Sequence, residues 1–437
     1  MRTIRYVILV ITISTLFLTC KKKDADDCPA CPSVVSISPT SAHAYEKLTV
    51  SGRNFNSVFK NNIVKINGMQ VSPDSILSGN SEQLIVKVPK GCGTGPVTVD
   101  IDNELTNDGT PPTLNYISRL LVSDIGGNGN HPPPCSNGGN TNSLVNYNTP
   151  VGIVADNGGN IFFSDAGAHC IFRLSSSDNY QSPCVFAGRV EQSGNENGFG
   201  TFASFNSPMH MYIDENNSIY VAEKGDTIRT VSPSGSVSKL KSTGNNLGPA
   251  TGVALQKGNN NIIYASLGES HVIVKITKQG STVTNSIFAG VKGSSGHNDG
   301  IGTAALFNHP SGIVVDNTGN VFVSEEGNYI RKITPAGIVS TLAGNGIAFF
   351  ADGQGTQASF NDPRGMCIDS NNNIYVADGK NNCIRKITPA GLVSTVFIFT
   401  DAMTTPSPNG VAIDKNGNFY VTYRGNLGNG VKRLTIE

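Results

Sequence analysis

The sequence predicts an all-β protein in which a small N-terminal sandwich precedes a six-bladed propeller. The 437 residues include 49 Gly and 22 Pro, and short runs of Val, Ile, Phe and Tyr lie between turns. Such usage is typical of sheets rather than helices. One unit also recurs six times after residue 118. A chain of this length exceeds one ordinary core, so we expect more than one folded unit.

The N-terminus has the pattern of an export signal. Arg2 and Arg5 precede an apolar run at residues 6–18, which is shorter than the roughly 20 residues needed to span a bilayer. The run ends at Cys20, and charged residues begin at Lys21. This pattern resembles a bacterial lipoprotein signal, which implies a signal peptide at residues 1–19 and acylation of Cys20. Ordinary secretion or an uncleaved anchor are the alternatives.

Residues 20–33 are predicted to form an extended tether, because they are charged, then rich in Cys and Pro, and lack apolar periodicity. Within them, Cys28 and Cys31 have the CxxC spacing of a redox or zinc site. No second CxxC or His pair accompanies them in the sequence. A local disulfide or two free thiols is therefore the favoured interpretation.

Residues 34–117 are predicted to form a compact sandwich, because short β runs separated by turns follow one another closely. The runs are 34–37, 48–51, 63–66, 84–88 and 97–101. The motifs Ile37-Ser38-Pro39, Gly52-Arg53-Asn54-Phe55, Asn67-Gly68 and Gly95-Pro96-Val97 lie among them. Together they resemble the IPT/TIG family of Ig-like domains, which implies a spacer or an interaction module.

Residues 118–437 consist of a repeated unit. Each copy has the form Pro-x-Gly-apolar, then Asn-apolar-aromatic-Val, then Ile-Arg-Lys-Ile, and the copies start 41 to 61 residues apart. The six openings are Pro150, Pro208, Pro249, Pro310, Pro363 and Pro408. Four short strands per unit are typical of propeller blades, which pack side by side. The pattern resembles the NHL-repeat family, which implies a six-bladed propeller.

The two ends of the propeller are predicted to meet in its last blade. The sixth unit stops after its third strand, whereas residues 120–130 parallel the fourth strand of another unit, at residues 341–346. We therefore expect residues 120–130 to complete the last blade and to remove an exposed strand edge.

Two further patterns are interpreted as structural. Three inter-blade segments of the form Asn/Asp-Gly-x-Gly-Thr lead to Phe205, Phe307 and Phe360, which are predicted to be wedges between blades. Asp-rich turns between first and second strands lack the twelve-residue frame of a calcium loop, so they are predicted to be hairpin turns.

The loops before the first strand and after the second strand of each unit are predicted to share one face of the ring. Loops on a rigid scaffold are the usual place for recognition groups. The candidate ligand-binding residues on this face are His210, His309, Asp362, Arg364, Glu325, Tyr329, Asp378 and Tyr423. Cys135 and Cys170 fall on the same face and are predicted to form a disulfide. An inert polar surface is the alternative.

The function that these features imply is non-catalytic binding. Lys plus Arg and Asp plus Glu are equal at 32 each, so no net charge attracts nucleic acid. The arrangement resembles surface lipoproteins of Gram-negative bacteria that bind glycans or protein partners. That resemblance implies a place at the outer membrane or cell surface, and no cofactor.

The alternative is a propeller enzyme of the lyase or lactonase type, which would hold a metal ion in its axial channel. Such a site needs several ligands that converge on one point. Only His210, His309 and Asp362 are suitable by type and predicted position. We therefore predict neither a metal site nor a catalytic residue.

Overall fold

The computed structural model describes residues 32–42, 44–89, 92, 94–100, 111–116, 120–125, 147–225, 228–240, 247–399, 406–426 and 428–436. These residues fall into two compact units, one up to Val122 together with the residues from Thr435, and one spanning Ser123–Leu434. No described helix is long and apolar enough to cross a membrane. The described helices are short 3-10 segments at Phe59–Asn61, Pro73–Ser75, Ser176–Asp178, Gly200–Phe202, Gly302–Ala304, Gly355–Gln357 and Gly379–Asn381.

The first unit is a sandwich of two sheets. Its strands are β1 (Ser33–Ser38), β2 (Ser41–Ala42), β3 (Lys47–Arg53), β4 (Ile63–Ile66), β5 (Met69–Gln70), β6 (Ile76–Gly79), β7 (Gln83–Lys87), β8 (Gly95–Asp100) and β9 (Thr113–Tyr116). One sheet has the order β1-β3-β7-β6 and the other β2-β9-β8-β4-β5. Alternate residues such as Leu48, Val50, Leu84 and Val86 are buried between them. The five predicted runs coincide with β1, β3, β4, β7 and β8.

The second unit is a propeller of six antiparallel sheets, and the all-β prediction is confirmed. The strand β10 (Leu120–Ile125) comes before the first blade in the chain. The first three blades contain β11 (Pro150–Ala155), β12 (Ile161–Asp165), β13 (Cys170–Leu174), β14 (Cys184–Ala187), β15 (Gly198–Phe199), β16 (Pro208–Ile213), β17 (Ile219–Glu223), β18 (Ile228–Val231), β19 (Ser236–Lys239), β20 (Gly252–Gln256), β21 (Asn259–Leu267), β22 (Val272–Gln279) and β23 (Thr282–Ala289).

The last three blades follow the same plan. They contain β24 (Gly300–Ile301), β25 (Pro310–Val315), β26 (Val321–Glu325), β27 (Tyr329–Ile333), β28 (Ile338–Ala343), β29 (Gly353–Gln354), β30 (Pro363–Ile368), β31 (Ile374–Asp378), β32 (Cys383–Ile387), β33 (Leu392–Ile398), β34 (Ser407–Ile413), β35 (Phe419–Arg424) and β36 (Gly430–Ile436). The inner strands are β11, β16, β20, β25, β30 and β34, and each contacts the next, with β34 also contacting β11.

The sixth sheet draws a strand from upstream of the first blade, in the order β10-β36-β35-β34. Asp124 on β10 accepts hydrogen bonds from Lys432 Nζ at 2.7 Å and Tyr423 Oη at 3.1 Å. The sheet order agrees with the expected use of this segment as the outer strand. Residues 126–130 of the expected segment lie outside the described residues.

Neighbouring inner strands approach closely because glycines line the axis. A Cβ atom at Gly312 would lie 2.3 Å from the carbonyl oxygen of Arg364 in the next blade, far inside van der Waals contact. Ser324 Oγ accepts a hydrogen bond from Gly312 N at 2.9 Å and donates one to the same Arg364 oxygen at 2.5 Å. The equivalent hydroxyl bridge to the next blade is made by Ser164, Ser266 and Thr422.

Buried arginines hold the long inter-blade loops. Arg331 donates to Glu325 at 3.1 Å, to the Leu306 carbonyl at 3.0 Å and to Asp299 at 2.6 Å. Its guanidinium lies 5.1 Å from the centre of the Phe307 ring. The loop thereby adds β24 to the edge of the fourth blade. The same position is taken in the second and fifth blades by Arg229 and Arg385.

The interpretation of the two repeated patterns agrees with the structure. Phe205, Phe307 and Phe360 are fully buried in the clusters between blades. In the turn after β11, Asp156 Oδ1 accepts from the backbone nitrogens of Gly158 and Asn160, both at 2.8 Å. The turn satisfies this carboxylate locally, as expected for a hairpin turn.

We expect Phe307→Ala to destabilise the propeller by about 3–5 kcal/mol, because it empties a packed site between two blades. The matched control is Phe202→Ala, whose side chain lies in a related loop and is 74% exposed; its cost should stay within about 0.5 kcal/mol. Guanidinium unfolding of both variants measures the difference. Equal losses would contradict the wedge role of Phe307.

Candidate functional site

A polar cavity of about 480 Å³ lies on the propeller axis. We call it the axial cup, because five of the six blades contribute to its wall. It is lined by Thr149, Val151, Ala166, Gly167, Ser207, Met209, His210, Lys224, Ser311, Glu326, Asp362, Pro363, Arg364, Asn409 and Arg424. The wall is formed by the beginnings of the inner strands and by the residues that follow the second strands. Three of the predicted ligand-binding residues, His210, Asp362 and Arg364, are therefore neighbours in one cavity.

Three charged side chains alternate around the rim of the axial cup. Lys224, Glu326 and Arg424 each stand at or next to the end of the second strand, in the second, fourth and sixth blades. The odd-numbered blades carry Ala, Gly and Gly at this position, at residues 166, 268 and 379. Small residues thus leave space between the three charged groups. All three charged residues are exposed.

Arg364 is held by the protein itself and does not offer a free charge. Its Nε and Nη2 atoms donate to Asp362 Oδ2 at 3.2 and 2.7 Å, and its Nη1 atom donates to Ser407 at 3.2 Å and to Asn409. A Cβ atom at Gly379 would lie 2.9 Å from the guanidinium carbon. Gly379 therefore makes room for Arg364, which is a fixed part of the cup wall.

His210 forms the floor of the axial cup. Its position in the inner strand is occupied by glycine in the other five blades, at Gly152, Gly252, Gly312, Gly365 and Gly410. The imidazole extends across the axis, so that its Cε1 atom would lie 2.8 Å from a Cβ atom at Gly365. Burial, reinforced by the nearby charge of Arg364, lowers the pKa of His210 to about 4. The ring is therefore neutral at physiological pH.

The axial channel beneath His210 is closed to ligands. The cavity there measures only about 20 Å³ and is lined by the axial glycines and by aliphatic side chains such as Ile153, Ile313 and Val411. This volume is enough for about one water molecule. The axial cup therefore opens on one face of the propeller only.

Glu325 and Asp378 were predicted on the exposed face, and that placement is wrong. Both side chains are completely buried. Asp378 accepts from Arg385 at 2.9 Å and from the backbone nitrogen of Asn361 at 2.8 Å, and burial raises its pKa despite the guanidinium. The carboxylate ends the second strand, where it anchors the loop that enters its own blade. The position of Asp378 in the sequence indicated that it lies near this face of the propeller. It did not indicate that the loop leading into the blade covers its side chain.

Three other candidates lie away from the cup lining. Tyr423 is buried, and its hydroxyl donates a hydrogen bond to Asp124. The ammonium nitrogen of Lys432 lies 4.8 Å from the centre of its ring. Tyr329 stacks on His297, with ring centres 3.3 Å apart. The ring of His309 meets His271 edge-on at 4.5 Å. The structure thus gathers His210, Asp362 and Arg364 but places Tyr329, His309 and Tyr423 at other contacts.

Ser311 and Asn409 are among the cup residues that the sequence analysis did not name. Ser311 and Asn409 directly follow the opening proline of the fourth and sixth units, which is the position of Arg364 in the fifth. Alignment of the six openings would have found both, because equivalent positions in a propeller face the same axis.

The predicted disulfide is not supported at Cys170. Cys170 is a buried free cysteine, and burial raises the pKa of its thiol. Cys184, by contrast, is disulfide-bonded. The other described cysteines, Cys92, Cys367 and Cys383, are free, so the partner of Cys184 is outside the described residues, as is Cys135.

The residues suggested for an axial metal do not form a ligand set. His309 does not line the cup, and the Asp362 carboxylate is paired with Arg364 at 2.7 Å. Within the described part of the chain, no three His, Cys, Asp or Glu side chains are placed to hold a metal ion together. The donor chemistry of the cup is therefore that of hydrogen bonding and charge.

The fold and the cup define a two-unit all-β protein with a cavity on the axis of its propeller. Residues 32–116 match the IPT/TIG domain, residues 360–387 the NHL repeat and residues 189–352 the teneurin NHL domain. The chain therefore carries an IPT/TIG domain and NHL repeats, as the sequence motifs predicted. The boundaries at residues 34–117 and 118–437 stay predictions.

Solved structures share the fold across most of the chain. An auxiliary nutrient binding protein of Bacteroides ovatus is 16% identical, covers 93% of this chain and 98% of its own, and has a TM-score of 0.59. A Bacteroides thetaiotaomicron protein of unknown function is 19% identical, with 94% and 99% covered and a TM-score of 0.58. Identities this low show similarity of fold alone.

A curated relative is similar over a shorter stretch. The protein SUPPRESSOR OF QUENCHING 1, chloroplastic, of Arabidopsis thaliana is 39% identical over 94 residues, which are 21% of this chain and 9% of the relative. The matched stretch thus spans less than a tenth of that relative.

We predict that His210 makes the propeller less stable as the pH falls from 7 to 5. Its pKa is about 4 in the fold and about 6.5 when unfolded, so in this window the unfolded chain binds the extra proton. The loss by pH 5 should be about 2 kcal/mol. His210→Phe keeps an aromatic ring at this position but cannot bind a proton, so it should remove this part of the pH dependence. Denaturant unfolding of both proteins at pH 7 and pH 5 measures the change in the free energy of unfolding. An equal change in the wild-type protein and in His210→Phe would show that His210 is not buried and neutral.

Proposed function

We propose that this chain is a non-catalytic binding protein that takes a glycan into the axial cup of its propeller. The observation that carries this proposal is a polar cavity with exposed charged groups at its rim and an imidazole at its floor. Its volume of about 480 Å³ lies within the range of roughly 300–1,000 Å³ that is usual for small-molecule sites.

The wall of the axial cup is rigid enough to recognise a ligand. Its inner strands are joined by hydroxyl bridges such as Ser324 to Arg364, and Arg364 is itself fixed by Asp362. A site that is already ordered loses little conformational entropy on binding. Rigid positioning of polar groups supports selective recognition of a hydroxyl-rich molecule.

A glycan fits the site better than a protein partner. A protein interface typically needs about 800 Å² of surface on each side, whereas the cup is a concavity of only about 480 Å³. Two proteins of similar fold, from Bacteroides ovatus and Bacteroides thetaiotaomicron, are described as auxiliary nutrient binding proteins. Their description supports a binding role by analogy of fold.

We further propose that the protein is a lipoprotein of the outer membrane or cell surface of a Gram-negative bacterium. The support is the sequence around Cys20, where the apolar run at residues 6–18 gives way to Lys21, Lys22 and Lys23. Acylation of Cys20 would hold the chain at a membrane with about 0.8 kcal/mol for each buried CH₂ group.

Ser311→Phe should abolish glycan binding, because the larger ring fills the cup from its wall. The matched control is Ser370→Phe, which places the same ring on an exposed hairpin turn outside the cup. Glycan-array screening of the wild-type protein identifies a binder, and isothermal calorimetry compares the three proteins with it. Unchanged binding by Ser311→Phe, with an unchanged melting temperature, would move the site away from the cup.

Cys20→Ser should transfer the protein from the membrane fraction to the soluble fraction, because serine cannot form the thioether of the lipid anchor. Cys28→Ser should remain in the membrane fraction and serves as the control. Fractionation with immunoblotting measures both. A membrane-bound Cys20→Ser variant would refute lipid anchoring without touching the proposal for the cup.

A further inference from the structure

His210 has a buried imidazole without a hydrogen-bonding partner. The residue is only 9% exposed, and its side chain makes no hydrogen bond to any described residue, although its backbone nitrogen donates to the Thr251 carbonyl at 3.2 Å. The ring nitrogens are not among the fully buried, unpaired side-chain atoms of the described residues, so water or a ligand can reach them. The imidazole lines the axial cup as well as the small cavity beneath it, and only the cup is large enough to admit a partner bigger than water.

The placement of His210 is a local departure from the repeat. The third inner strand, β20, begins at Gly252, three residues after its opening proline at 249, whereas most of the others begin at or next to theirs. This is the strand that follows His210 around the ring. The irregular strand β20 therefore lies next to the strand in which the axial position carries the side chain of His210 instead of a glycine.

The free charges of the cup favour an anion. Arg364 is neutralised by Asp362 at 2.7 Å, which leaves Lys224, Arg424 and Glu326. Neither Lys224 nor Arg424 has a side-chain partner among the described residues. Burial and the neighbouring His309 lower the pKa of His271, and the carboxylate of Glu326 only partly opposes this shift. Two free cations thus face one carboxylate across the rim.

We propose that the axial cup selects an anionic, hydroxyl-rich ligand of sugar-acid size, with His210 bound to a ligand hydroxyl and Lys224 and Arg424 facing the acidic group. This inference rests on the proposed function and names the class of glycan. A neutral imidazole offers one donor and one acceptor, which match a hydroxyl that both accepts and donates. Glu326 can only accept, so it repels a second acidic group and fixes the orientation of the first.

Isothermal calorimetry with D-glucuronate, D-glucose and D-glucose 6-sulfate tests the class. The two acidic sugars should bind at least about tenfold more tightly than glucose. Their advantage should shrink as the salt concentration rises, because exposed charges are screened. Inorganic sulfate alone should bind much more weakly than either acidic sugar, since it cannot use His210 as a hydroxyl does.

Two sets of variants separate the roles of rim and floor. Replacing Lys224 and Arg424 together by Ala should remove the preference for the acidic sugars over glucose. Lys257→Ala, which removes an exposed lysine outside the cup lining, is the control and should keep that preference. His210→Phe should lower the affinity for all three sugars by about tenfold or more. Melting curves at pH 7 check that this variant keeps its fold.

The outcomes distinguish this inference from the proposed function. Equal binding of glucose and glucuronate, with both abolished by Ser311→Phe, overturns the anionic preference but leaves the cup as the site. Full binding of glucuronate by His210→Phe overturns the role of the imidazole. If neither acidic sugar binds, the inference is overturned. The proposed function would still hold if the glycan array identifies an uncharged glycan whose binding is abolished by Ser311→Phe.

Discussion

The structure of the propeller depends on the buried arginines of the second, fourth and fifth blades, which hold the long loops that enter those blades. Arg331 joins three groups that lie far apart in the chain: the carboxylate of Glu325, the loop at Asp299 and the ring of Phe307. Removing one partner of such a buried pair leaves an uncompensated charge and is strongly destabilising. The loop, the wedge and the edge of the blade are therefore ordered together, and the axial cup inherits its rigidity from this packing.

At the axis a different constraint applies, which is the lack of space between inner strands. Gly312 and its equivalents allow one strand to approach the backbone of the next, and hydroxyls such as Ser324 fill the remaining hydrogen-bonding positions. A side chain at this level must therefore be exceptional. His210 is that exception, and it converts an open channel into a cup with a floor.

The strand runs were predictable because each has β-branched and aromatic residues between turns, and the repeat fixed their order. The cup was predictable only in part. His210 replaces the glycine of Pro-x-Gly in the second unit, and Arg364 directly follows an opening proline. The burial of Glu325 and Asp378 could not be predicted from the sequence, because it depends on which loop covers the end of the second strand. The free state of Cys170 likewise depends on packing that spacing does not encode.

The strand β10 determines when the propeller can finish folding. Asp124 and Lys432 are 308 residues apart, so the sixth sheet waits until almost the entire propeller has emerged, whereas earlier blades assemble as they appear. Until then β10 presents an unpaired edge, which is a template for wrong pairing with another chain. A copy whose synthesis stops early would carry this edge permanently, and proteases and chaperones could recognise the unpaired strand as the mark of an incomplete molecule.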